Sequence, residues 1–203
     1  MGGSESSSRF IVKLIEGSNP ETALKDSVII KQVTLGISNI DDSKILANLY
    51  PKGYVHTALY ISDQDPENFE EKGILLEYGK YDAKENKDNL IKYEYMSGGM
   101  RYGWVEIKEF QKNLASSASI NLKIRPLLLF KDLISKLKEN DNWDLNSYSS
   151  IHHNCQDFCA KAINILKASY DSNAITIKDN IRHKYGKKKD IIPICIQKAL
   201  GIL

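Results

Sequence analysis

The sequence predicts a single α+β domain, and three observations predict it. The first half carries short β-branched runs and one clean two-residue alternation, the second half carries apolar residues at helical spacing, and 203 residues suffice for one sizeable core. Residues 1–8 are small and polar and read as a disordered leader, which leaves 9–203 as the domain.

Residues 10–15 and 27–37 read as the first strands, the second carrying Val28, Ile29, Ile30, Val33 and Leu35. Asp42 is placed to cap a short helix with Ile45, Leu46 and Leu49, which Pro51 and Gly53 would stop. Residues 54–62 show the clearest alternation. Val55, Thr57, Leu59 and Ile61 fall on one face, and His56, Ala58, Tyr60 and Ser62 on the other. A polar turn with Pro66 leads to 73–81, a strand with Ile74, Leu75, Leu76 and Tyr78, and so short a connection favours antiparallel pairing. Residues 92–95 and 102–110 read as further strands, separated by Ser97-Gly98-Gly99. After Pro126 the period changes: Leu129, Leu133 and Leu137 share a helical face within 127–137. In 155–168, Cys155, Phe158, Cys159, Ala162, Ile165 and Leu166 form one helical stripe. Residues 171–189 are polar, with a basic run at Lys187, Lys188 and Lys189. Residues 190–203 form an apolar helix starting near Pro193, expected to pack on the core.

A net charge of +2 argues against a nucleic-acid partner. Three cysteines do not make a disulfide framework and point to a reducing, cytoplasmic setting. No apolar run approaches the roughly 20 residues that span a bilayer. Met1-Gly2-Gly3-Ser4-Glu5-Ser6 fits the pattern for myristoylation at Gly2, an alternative to the plain leader that would add reversible membrane contact.

The densest reactive set is His152-His153-Asn154-Cys155-Gln156-Asp157-Phe158-Cys159. Asn154 is a good N-cap and Asp157 a capping-box partner, so Cys155 falls in the first helical turn. The positive end of the helix dipole favours a thiolate there, and the thiolate is the nucleophilic form. A base is then required, close in space though not in sequence. Of four histidines, His56 is held by a strand, His152 and His153 precede the helix, and His183 lies in a basic stretch. Cys155 as a buried structural thiol and His56 as a satisfied strand histidine are the alternatives. Cys159, one turn deeper, reads as core. His152, His153, Cys155 and Cys159 match no standard zinc spacing, so neither metal nor cofactor is expected. Gly98, Gly99 and Gly103 lack the ending of a phosphate loop and read as a turn or a lip of the substrate cleft, which Trp104 could line.

Two segments carry a resemblance. Gly53-Tyr54-Val55-His56-Thr57-Ala58-Leu59-Tyr60-Ile61, followed by Leu76-Glu77-Tyr78-Gly79, resembles the histidine strand and next strand of the PPPDE thiol peptidases. Asn154-Cys155-Gln156-Asp157-Phe158 resembles their Asn-Cys-x-x-Phe nucleophile helix. The same order occurs in the lecithin:retinol acyltransferase-like proteins, and both groups are circularly permuted relatives of NlpC-type and papain-type hydrolases. The resemblance spans roughly residues 50–170. It implies a permuted papain-like fold, with an antiparallel sheet against the nucleophile helix. It also implies Cys155 as nucleophile, His56 as base and an acyl-enzyme on a protein or peptide substrate, such as a ubiquitin-like conjugate. The acyltransferase-like proteins place a second histidine on the strand after the first. Here that strand offers Glu77, the candidate to orient the imidazole, with Asn154 in support. An acyltransferase or thioesterase on lipid-linked acyl groups, and a catalytically inactive papain-like binding module, remain the alternatives.

Overall fold

The computed structural model describes residues 15, 20–25, 27–39, 55–64, 72–79, 99–112, 114, 116–122, 128–144, 146–149, 153–169, 175–179 and 194–201. The leader with Gly2, the expected short helix after Asp42, the expected strand at 92–95, His152, His183 and Lys187 to Lys189 lie outside these residues. Of the expected strand at 10–15 only Ile15 is described, its backbone N–H bonded to the Trp104 carbonyl at 3.0 Å.

The helices are α1 (Pro20–Lys25), α2 (Ile107–Lys112), α3 (Phe130–Asn140), α4 (Cys155–Ser169) and α5 (Ile194–Leu200). The strands are β1 (Gln32–Asn39), β2 (Val55–Ser62), β3 (Lys72–Tyr78), β4 (Met100–Glu106), β5 (Ser116–Leu122) and β6 (Ile175–Asp179). They form one antiparallel sheet in the order β4-β3-β2-β1-β5-β6. The chain is thus α+β.

The alternation of β1 and β2 sets which face meets the helices. Val33, Leu35 and Ile37 of β1 and Leu59 and Ile61 of β2 are at most 1% exposed and enter the main core. Phe130, Leu133 and Leu137 of α3 and Phe158, Cys159, Ala162 and Leu166 of α4 close this core at helical spacing. The other face holds Ala58, Tyr60, Leu75 and Val105 under Phe110 of α2, with Tyr60 stacked on Phe110 at 5.2 Å. Phe110 lies so close to β1 that a Cβ at Gly36 would stand 2.4 Å from its ring, which explains a glycine in the middle of a strand. Covered on both faces, β3 is buried from Gly73 to Tyr78.

Several elements differ from the sequence reading. The expected strand at 102–110 is a strand only to Glu106, where pairing to β3 ends at Lys72↔Glu106. Ile107–Lys112, rich in helix formers, then turns into α2 and lays Phe110 on the sheet. The third helix starts at Phe130 rather than 127, because residues 128–130 pair with 28–30. Ile30 donates to the Leu128 carbonyl at 2.9 Å and Phe130 to the Val28 carbonyl at 2.8 Å. Within the polar stretch 171–189, Ile175–Asp179 completes the sheet as β6, and β5 and α1 were not foreseen. Strands therefore do not all precede helices. Among the described residues no helix is long and apolar enough to cross a membrane.

Candidate active site

The start of β2, the end of β3, the start of β4 and the first turn of α4 come together. α4 packs on β2 and β3. Among the described residues, β2 and β3 pair only from Ile61↔Ile74 to Ala58↔Glu77, although β2 begins at Val55 and β3 runs to Tyr78. Cys155 meets β2 at His56 and Thr57, where β2 is paired to β1 beyond the end of its β3 ladder.

The first turn of α4 carries the capping box that the sequence shows. Asn154 Oδ1 accepts from the backbone N–H of Gln156 at 2.8 Å and of Asp157 at 3.3 Å. Asp157 Oδ2 accepts in return from the Asn154 N–H at 3.2 Å. Asn154 thus holds the turn that presents Cys155. Asn154→Ala should lower stability by about 1 kcal/mol, a fall of roughly 2–4 °C in the melting temperature followed by circular dichroism.

The loop before α4 is fixed by aromatic rings. His153 stacks on Trp143, with centroids 4.3 Å apart and planes 14° from parallel. Its backbone pairs both ways with Ser149, at 2.8 and 3.1 Å. The Tyr78 hydroxyl donates to the Asp144 carbonyl at 2.9 Å, and the Trp143 indole N–H to the Leu137 carbonyl at 2.9 Å. Gly99 backs Tyr78 with a φ of +51°, where a Cβ would also strike the Tyr78 ring. His153 is thereby a packing residue that positions the loop. Gly99, expected in a turn or cleft lip, is a buried support for that loop. Trp104 is half-buried against the core, with the Lys72 ammonium 5.7 Å from its ring centre.

Cys155, His56 and Glu77 form a connected, buried set, at 2%, 0% and 0% exposure. The His56 Nε2 lies 2.6 Å from Glu77 Oε2. That ring nitrogen is committed to the carboxylate. Burial pushes the Cys155 thiol up. The charge and side-chain hydrogen bond of His56, with hydrogen bonds from the Thr57 backbone and hydroxyl, outweigh it and hold the thiol below its ordinary range. Cys159 lacks such a partner set: burial pushes it well above the ordinary range, and it stays a core thiol. Cys195, half-buried on α5, is likewise pushed up, by burial and then by the charge of Asp157.

Glu77 has a second partner absent from the sequence reading. Arg101, 8% exposed, gives both Nε and Nη2 to Glu77 Oε1. The two residues sit directly opposite each other in the β3–β4 register. That register was the missing signal, because Arg101 lies 24 residues from Glu77 in a segment whose pairing the sequence left open. Among the described residues no group of three or more His, Cys, Asp and Glu could hold a metal ion. The arrangement can ionise a thiol, accept its proton and return it. No family model, curated protein or solved structure matches the chain.

Proposed function

We propose that this protein is a cysteine-dependent hydrolase of the peptidase or isopeptidase kind, with a permuted papain-like core related to the PPPDE thiol peptidases. The observation that carries the reading is one chain of contacts from Cys155 through His56 to Glu77, on a strand pair and a capped helix start. His56 at the start of one strand and cysteine at the head of a later helix is the order the resemblance implies for a Cys–His dyad, and Glu77 on the next strand adds a group that orients the imidazole. The strand that carries a second histidine in the acyltransferase-like proteins has none here and carries Glu77, and the missing histidine favours the peptidase branch.

In this reading the Cys155 thiolate attacks the carbonyl carbon of an amide or isopeptide, forming a C–S bond. The backbone N–H of Cys155, at the head of α4, donates to the oxyanion. The tetrahedral intermediate collapses with cleavage of the C–N bond, and His56 passes its proton to the departing amine. Water then attacks the thioester while His56 takes its proton. The carboxylic acid leaves and the thiolate–imidazolium pair is restored. Glu77 keeps the ring oriented and stabilises its charged form throughout.

The test is the rate of Cys155 alkylation by iodoacetamide between pH 4 and 9, with the labelled peptide identified by mass spectrometry. A lowered thiol pKa means that thiolate persists on the acid side of the free-thiol value of about 8.5. Labelling should therefore remain fast below that value and decline only as the pH falls through the folded-state value. In His56→Ala the two effects of the imidazole are gone and burial is opposed only by Thr57. The labelling midpoint should move upward and the rate at pH 6 fall by at least about tenfold. An ordinary midpoint in wild type, unchanged in His56→Ala, would leave an idle thiol and a binding module.

A further inference from the structure

We propose that Arg101 is a positioning residue for the thiol chemistry: its guanidinium keeps Glu77 ionised and turned so that the second carboxylate oxygen orients His56 toward Cys155. The inference rests on the hydrolase reading and adds the part of the site on β4.

Glu77 is fully buried and lies within a strand covered on both faces. A carboxylate there, facing only a histidine, would be driven to take up a proton, because an ion removed from water needs a compensating charge. Protonated, it would no longer set a negative charge beside the His56 ring. Arg101 removes that outcome. Guanidinium stays charged at any working pH, and its planar fork suits a carboxylate. Two of its N–H groups converge on Oε1, which leaves Oε2 for the His56 ring. The backbone enforces the geometry, since Glu77 and Arg101 are direct cross-strand partners and Ala58, opposite Glu77, lies two residues from His56 on the same face. Arginine, glutamate, histidine and cysteine then alternate in sign as cation, anion, cation and anion. The row sums to zero, so thiolate and imidazolium can form in a buried place without leaving an unbalanced charge.

The experiment compares R101M, R101K, E77Q and E77Q/R101M with wild type by the pH profile of Cys155 alkylation and by thermal melting. Methionine keeps much of the stem without the charge, and lysine keeps the charge without the fork. R101M should label at least about tenfold more slowly than wild type at pH 6, with its midpoint moved upward, and R101K should recover part of the loss. Because Arg101 acts through Glu77, E77Q/R101M should label no more slowly than E77Q alone. A purely structural role would lower the melting temperature and leave the midpoint where it was, which would overturn the inference while the hydrolase reading stands. An ordinary wild-type midpoint would overturn both. If R101M fails to fold, the comparison of E77Q with E77Q/R101M decides alone, since the double variant leaves no unpaired buried ion. Equal rates support the inference, and a further loss in the double variant overturns it.

Discussion

Mixed with p-nitrophenyl acetate, the wild-type protein should release a rapid burst of p-nitrophenolate matching the enzyme present, and Cys155→Ala should release none. The ester carries a good leaving group, so formation of an acyl-enzyme is visible without knowing the natural substrate. Removing the nucleophile of such a set reduces the rate by about 10³-fold or more, leaving only what binding and oxyanion donors provide. Peptide mass spectrometry after acid quenching should place the acetyl group on Cys155. This mapping matters because Cys195 is the most accessible of the three thiols. Its acidity is suppressed by burial and by Asp157, so it should react slowly at neutral pH. A burst that survives in Cys155→Ala, or an acetyl group found on Cys195, would remove Cys155 from the role proposed for it.

The second large effect is on stability. Glu77→Ala takes the anion from between the buried His56 ring and Arg101 and leaves the Arg101 guanidinium, 8% exposed, without that counter-ion. Breaking a buried pair by removing one partner typically destabilises by about 3–5 kcal/mol. For a domain of this size that is a fall of roughly 6–20 °C in the melting temperature, read by calorimetry. Glu77→Gln keeps the shape and a hydrogen-bonding oxygen and should fall between wild type and Glu77→Ala. A melting temperature for Glu77→Ala within a degree or two of wild type would mean that the carboxylate is not the centre of the network.

How far the sequence could be read depended on whether a residue's partner was local. The capping box of Asn154 and Asp157 spans a single turn, and the first turn of α4 forms as its spacing implies. The alternation of 54–62 placed His56 opposite Leu59 and Ile61, and β2 keeps that division. Glu77 could be named because it lies on the strand where the acyltransferase-like proteins carry a second histidine, so the analogy of a triad pointed to it. Arg101 could not. Its meaning depends on the register of β3 against β4, and the glycine-rich approach to β4 carries no periodic pattern to fix it. The start of α3 was missed for a similar reason, because the tertiary pairing of 28–30 with 128–130 took backbone groups that local spacing assigned to a helix. The serine-rich β5 and the short β6 carry too little apolar alternation to stand out, and they become strands in turn, β5 on the edge of β1 and β6 on the edge of β5.

The neighbours Glu77 and Tyr78 point to opposite faces of β3. One reaches the imidazole and the other the loop that leads into Cys155. A slip of that strand by one residue would exchange the faces, putting the carboxylate among the aromatic rings and the phenol beside His56. Half-assembled versions of the site are therefore excluded: both halves are right together or wrong together. Reactivity at Cys155 then reports more than chemistry. If the proposed pairing of Cys155 with His56 holds, fast alkylation at pH 6 during refolding should appear only once β3 has locked into its native alignment.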